Sequence, residues 1–130
     1  MQILDKVGKG DLTADQLKHE MEEPSVADYL VVYLRIVTSA ELKKSAEFYS
    51  NFIEGEQTLE EFCQLEVEPM YKESDHIHII AVTSALQVGV RIVYMDRGSG
   101  AQHDFPDSVT PVIYMLYRPG HYDLIYPNTN

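Results

Sequence analysis

Val112-Ile113-Tyr114-Met115-Leu116-Tyr117-Arg118-Pro119-Gly120-His121-Tyr122-Asp123-Leu124-Ile125-Tyr126 is the stretch that decides the fold. Val112 to Tyr117 is continuously apolar, as expected of an interior strand covered on both faces. His121 to Tyr126 alternates in the manner of a second strand. Pro119-Gly120 is a turn signal, so the short link predicts an antiparallel hairpin. Residues two apart in a strand share a face. His121 and Asp123 therefore project together, and Tyr122, Leu124 and Tyr126 project to the other side. Same-face Cβ atoms lie roughly 6–7 Å apart, a gap that one imidazole–carboxylate hydrogen bond bridges. Such a bond fixes the tautomer of a histidine acting as a general base. Spacing alone favours an ordinary strand-edge histidine beside a surface acid, because His-x-Asp is short and common.

Working outward, the period changes at about Gly89. Gly89 to Met95 reads as a strand, Asp96-Arg97-Gly98-Ser99-Gly100 as a turn, and the residues to Pro111 as a loop carrying His103 and Phe105. Before it, Ser74 opens a helix to about Gln87. Ile77, Ile80, Ala81, Ser84, Ala85 and Val88 form its buried face, and His76 falls largely off that face. The first half of the chain is helical. Thr13-Ala14-Asp15-Gln16, Ser25-Val26-Ala27-Asp28, Thr38-Ser39-Ala40-Glu41 and Thr58-Leu59-Glu60-Glu61 all have capping-box form. Pro24, Gly55 and Pro69 act as stops. Tyr29 to Leu34 is apolar nearly all round, which predicts a helix buried on several sides. Asp28 and Arg35, seven residues apart, share one edge of it. Phe48 and Phe52 stack at i, i+4, as core packing or as an exposed contact patch. Leu59, Phe62, Cys63 and Val67 make an apolar stripe. The fold class is α/β (α+β): a helical first half, then a mainly antiparallel sheet of about three strands.

A chain of 130 residues that is 45% apolar is long enough to bury a core. The formal charge of −11 argues against nucleic acid and for a basic protein surface as partner. One cysteine excludes an internal disulfide and fits the cytoplasm or nucleus. The N-terminus has no signal-peptide core, and Tyr29 to Leu34 is too short to cross a bilayer, so no membrane association is expected.

The residues offer a base and its orienting acid but no nucleophile. Cys63 sits mid-helix on an apolar stripe, the setting of an inert core cysteine. There is no Gly-x-Ser-x-Gly elbow and no phosphate-binding glycine loop. His76 and His78 diverge by about 200° on a helix, and no other spacing makes a metal site, so neither metal nor cofactor is expected.

Several segments together resemble the otubains, cysteine deubiquitinases of the ovarian-tumour class. They are Ser25 to Arg35, Glu61-Phe62-Cys63-Gln64, Val67-Glu68-Pro69-Met70, Glu73 to Ile80, Tyr94-Met95-Asp96-Arg97-Gly98 and Tyr117 to Asp123. The match runs from about Ser25 to Tyr126, looser in 99–110, and residues 1–24 match less clearly. It divides the chain into a helical segment, 1–24, and the C-terminal part of an otubain domain, 25–130. The resemblance implies a papain-like fold and cleavage of isopeptide bonds in polyubiquitin. It implies His121 as catalytic base and Asp123 as the acid that orients it. It implies ubiquitin contacts at Phe48, Phe52, Glu54, Glu73, His76, His78, Ile80, His103 and Phe105, and a surface for ubiquitin-conjugating enzymes at Asp28, Tyr29 and Arg35.

The departure from the family is large. Its nucleophile lies in an Asp-Gly-Asn-Cys motif, which is absent, and Cys63 matches a non-catalytic family cysteine. The chain is therefore expected to be the C-terminal half of an otubain, inactive alone, with an apolar surface exposed where the nucleophile's helix would pack. The alternatives are a non-catalytic module that binds ubiquitin or a conjugating enzyme, and a non-functional truncation.

Overall fold

The computed structural model describes residues 2–96, 98 and 101–128. Helices come first: α1 (Gln2–Gly8), α2 (Ala14–Glu22), α3 (Pro24–Lys44), α4 (Ala46–Tyr49), α5 (Leu59–Phe62) and α6 (His76–Leu86). A 3₁₀ turn, Ser50–Phe52, extends α4, and a π-helical stretch, Cys63–Val67, extends α5. Four strands follow: β1 (Gly89–Tyr94), β2 (Gln102–Phe105), β3 (Pro111–Arg118) and β4 (His121–Ile125).

Two of the four capping boxes form as read, at Thr13/Gln16 and Thr58/Glu61. The other two are corrected. Pro24 starts α3 rather than only closing α2, because its missing N–H costs nothing in a first turn. Thr38 and Ser39 lie inside the same 21-residue helix. The Thr38 hydroxyl donates back to the Leu34 carbonyl at 2.7 Å, and the Ser39 hydroxyl donates to Glu68 at 2.7 Å. Neither hydroxyl is free to start a new helix. α6 is capped at Asp75, one residue later than expected, and its third residue, His78, takes the place usually held by Glu or Gln. The left-handed Gln87, φ +52°, ends it.

The core has two parts on either side of α6. Leu42, Tyr49, Cys63, Val67, Ile77 and Ala81 form the first, between the helices. Val90, Ile92, Tyr94 and Phe105 form the second, with Ile79, Ile80, Met115, Tyr117 and Tyr122 packed against it. Full burial of Leu42, Val67 and Ile92 contributes about 1.5–3 kcal/mol per side chain. Because α6 buries surface on both sides, His78 and Thr83 join its buried residues, which a single apolar stripe did not predict.

The sheet order is β2-β1-β3-β4. The expected antiparallel hairpin is β3–β4, with Arg118 opposite His121 across Pro119-Gly120. Gly120 has φ +78°, the conformation that a proline-led type II turn requires at its third position. Among the described residues the sheet has four strands rather than about three. Residues 102–105, read as loop, pair antiparallel with β1, while β1 and β3 run parallel. That parallel pairing needs Gly89: a Cβ there would stand 2.8 Å from the Pro111 Cα, inside backbone contact distance. The turn expected at Asp96 to Gly100 lies partly outside the described residues, at Arg97, Ser99 and Gly100.

Two burial expectations are also corrected. α3 is exposed along Tyr29, Tyr33 and Ile36, a stripe at i, i+4, i+7. β3 is interior in strand order but is not covered on both faces. Val90, Ile92, Met115, Tyr117 and Tyr122 face α6. Val93, Tyr114 and Leu116 alternate to the opposite face, where Val112 is 68% exposed.

Candidate functional site

β4 is an edge strand, and its alternation places His121 and Asp123 on the face away from α6, in line with Arg118 and Leu116 of β3. The Nε2 nitrogen of His121 lies 2.8 Å from the Asp123 Oδ1. An ionised carboxylate only accepts, so Nε2 carries the proton and donates. The lone pair is then left on Nδ1. Both side chains are about half exposed, within reach of an incoming partner. This is the arrangement of a general base with its tautomer fixed.

Cys63 is elsewhere. It is fully buried in the helical core, with α6 between it and the sheet. Burial pushes its thiol pKa up, away from the thiolate that nucleophilic attack needs. Among the described residues, no group of three or more His, Cys, Asp or Glu side chains is placed to hold a metal ion.

Two concavities collect five of the nine residues expected at the ubiquitin surface. The first is a groove of about 410 Å³ between α3–α4, α6 and the end of β2. Phe48, Ile80, His103 and Phe105 line it together with Glu41 and Asp107; Asp104 lines it too, but both oxygens of its carboxylate are bound to Arg91. Phe48 and Phe52 stack edge to face at 5.2 Å, and both are exposed, so the pair is not core packing. The second is a cleft of about 290 Å³ lined by Glu73, Ser74, Asp75, Tyr117, Gly120, His121 and Tyr122. Burial, then the nearby Tyr117, Tyr94 and Asp75, pushes the Tyr122 hydroxyl up to about 12, so it is neutral throughout the working range of a protein. Glu73 thus stands beside His121 rather than beside Phe48. Glu54 is exposed after the 3₁₀ turn.

Three side chains expected at contact surfaces are engaged internally. His78 is buried; its Nδ1 accepts the Asp75 N–H at 3.0 Å, and its Nε2–H donates to the Glu66 carbonyl at 3.1 Å. Phe105 is buried as the floor of the groove, so a partner meets little more than its edge. Arg35 turns inward and donates to the carbonyls of Val67 and Lys72 at 3.0 and 2.6 Å. Asp28 and Tyr29 remain exposed. His76 is half-buried, stacked on Tyr94 with its Nε2 2.7 Å from the tyrosine hydroxyl. The sequence reading passed over Asp75, Tyr117 and Tyr122, and over Glu41, Asp104 and Asp107. Asp75, Asp104, Asp107 and Tyr122 lie beside residues already singled out, whereas Glu41 and Tyr117 reach their cavities only through the tertiary fold.

Comparison with known proteins identifies the family. The family model of the peptidase C65 otubains matches residues 1–127. Ubiquitin thioesterase OTUB1 of Homo sapiens is 51% identical over 129 residues, covering 97% of this chain and 47% of that protein. An ovarian tumor domain-containing deubiquitinating enzyme of Arabidopsis thaliana is 40% identical, covering 98% and 49%. The chain spans about half the length of these relatives. The solved structure of h/ceOTUB1 with ubiquitin aldehyde and UBCH5B~Ub superposes with a TM-score of 0.87 at 38% identity, over 96% of this chain and 51% of that one. The His121–Asp123 spacing, the partial papain-like architecture and the family match converge, and the chain belongs to the otubain family of peptidases.

Proposed function

We propose that this chain supplies the general base, its orienting acid and the ubiquitin-binding surface of a thiol-dependent isopeptidase acting on polyubiquitin. The observation that carries the reading is the 2.8 Å bond between His121 and Asp123. With Nε2–H held by Asp123, the Nδ1 lone pair takes the proton of an attacking thiol. The thiolate adds to the isopeptide carbonyl. The imidazolium then returns that proton to the lysine nitrogen as the C–N bond breaks and the nitrogen keeps the bonding pair. Asp123 stabilises the imidazolium in between.

The thiol is not Cys63, which is buried beyond α6. On this reading it comes from sequence outside these 130 residues, and the chain alone binds without cleaving. The groove at Phe48 suits ubiquitin: an apolar floor flanked by the acids Glu41 and Asp107 complements an apolar patch ringed by basic side chains. The exposed stripe Tyr29, Tyr33 and Ile36 favours a second contact, with a ubiquitin-conjugating enzyme. The solved h/ceOTUB1 complexes, which include UBCH5B~Ub and UBC13~Ub, support a partner of that kind.

A ubiquitin carrying a thiol-reactive group at its C-terminus tests the reading. We expect no adduct at Cys63, together with saturable ubiquitin binding that weakens about tenfold or more in Phe52→Ala, as for an aromatic contact at the centre of an interface. An adduct at Cys63, or no ubiquitin binding at all, overturns it.

A further inference from the structure

Between the π-helical stretch and α6, residues 68–75 form neither helix nor strand. Arg35 fastens this loop by donating to the carbonyls of Val67, just before it, and Lys72, within it. Between those two anchors Tyr71 stands in the left-handed region, φ +66°. A bulky side chain is disfavoured there, and glycine or asparagine would fit with less strain. The ring takes no part in the packing. It is 90% exposed, and among the described residues it makes no hydrogen bond and no ring contact. A strained residue whose side chain the fold does not use points to a role outside the fold.

We propose that Tyr71 is a phosphorylation site for a protein tyrosine kinase that selects acidic substrates. Of the nine tyrosines, only Tyr71 and Tyr126 lie outside helices and strands, where a kinase cleft can take up the backbone. Tyr71 has an acid on each side, Glu66 before it and Glu73 after it, and neither carboxylate has a partner among the described residues. Glu68, nearer in sequence, is already bonded to Ser39 and Lys43. Free acids on both sides complement a basic substrate groove. Tyr126 has only Asp123, which is bonded to His121, and no acid follows it. In the transfer, the Tyr71 Oη attacks the γ-phosphorus of magnesium-bound ATP and gives its proton to the kinase's catalytic aspartate. The bond from that phosphorus to the β–γ bridging oxygen breaks, and ADP leaves with the electron pair. Entry into the kinase cleft straightens the backbone at Tyr71, which relieves the left-handed dihedral and breaks the Arg35–Lys72 bond. The product carries roughly −1.5 to −2 charge at neutral pH. Standing clear of the fold, it is open to a partner that reads phosphate with arginine side chains.

The test uses the whole folded chain, magnesium ATP and a tyrosine kinase domain chosen because it phosphorylates a peptide of residues 64–77. Mass spectrometry maps the sites over time. We expect phosphate at Tyr71, incorporated at least about tenfold faster than at Tyr29 or Tyr126. Tyr71→Phe should abolish that incorporation, and Tyr126→Phe should leave it unchanged. Tyr71→Phe keeps the ring and removes only the hydroxyl, so an unchanged urea midpoint is expected and reports that the variant folds. Glu66→Gln with Glu73→Gln should slow the reaction about threefold or more. Faster labelling of another tyrosine, a double variant that reacts at the original rate, or a folded chain left unlabelled while the peptide reacts each overturn the proposal. The last of these would leave Tyr71 as a contact residue for a protein partner.

Discussion

Arg91 on β1 and Asp104 on β2 are joined by two hydrogen bonds, Nε to Oδ1 at 2.7 Å and Nη2 to Oδ2 at 3.0 Å. They are cross-strand partners on the sheet face away from α6, and the pair ties the edge strand β2 to the interior of the sheet. The bond from Arg91 holds the Asp104 carboxyl below its ordinary pKa. A carboxylate depressed in the folded state adds stability that is present above its unfolded pKa and is lost as pH falls through the folded one. Asp104→Asn is therefore expected to lower the urea midpoint at pH 7, and its deficit should shrink as the two proteins are compared in increasingly acid solution. A deficit that stays constant down to pH 2 would show that the charge contributes nothing.

His78 joins three segments: the residues before α6, α6 itself and the π-helical stretch through the Glu66 carbonyl. His78→Ala leaves the Asp75 N–H and the Glu66 carbonyl without a partner, at about 1–3 kcal/mol each where water cannot replace it. His78→Gln keeps a side-chain acceptor at the third residue of the helix and should recover part of the loss. Equilibrium unfolding gives the stabilities, and amide exchange at Asp75 reports the cap. If exchange at Asp75 is unchanged in His78→Ala, the cap is not the cause.

Cys63 has no exposed surface. We expect alkylation by iodoacetamide only at the rate of unfolding, accelerating with urea. Cys63→Ser places a hydroxyl among Leu42, Val67 and Ala81 and should cost about 1–3 kcal/mol. Rapid alkylation of the folded chain would contradict a core position for this residue.

Val112, Tyr114, Leu116 and Val93 share the sheet face that α6 does not cover. An apolar area left in water favours self-association, opposed here by the chain's net charge of −11. We expect sedimentation to show mass rising with concentration, more steeply in high salt, together with binding of an apolar dye. Val112→Lys with Leu116→Lys should reduce both. A monodisperse monomer that leaves the dye dark would mean that this face carries no driving force.

Local signals in the sequence were enough for the elements whose cause is local. Thr13 and Thr58 cap their helices because the bonding partner is three residues away. Pro119-Gly120 turns β3 into β4 because its two dihedrals suit the turn. His121 and Asp123 meet because a strand's period places them on one face. The apolar stripe Leu59, Phe62, Cys63 and Val67 also fell where its spacing put it. The misreadings share one cause, a partner distant in sequence. β2 looked like a loop because only β1 supplies its hydrogen bonds. Ser39 looked like a cap, but Glu68 claims its hydroxyl. Arg35 and His78 looked available to a partner until the fold brought the carbonyls of Val67, Lys72 and Glu66 against them.

By itself, the sequence determined the helical first half, the final hairpin, the histidine–aspartate pair and, through motif resemblance, the family. The tertiary structure decided which apolar residues are covered, where the acids gather and which polar side chains remain free. Burial and long-range hydrogen bonding depend on residues far apart along the chain, and those distances exist only once α6 lies between the helices and the sheet.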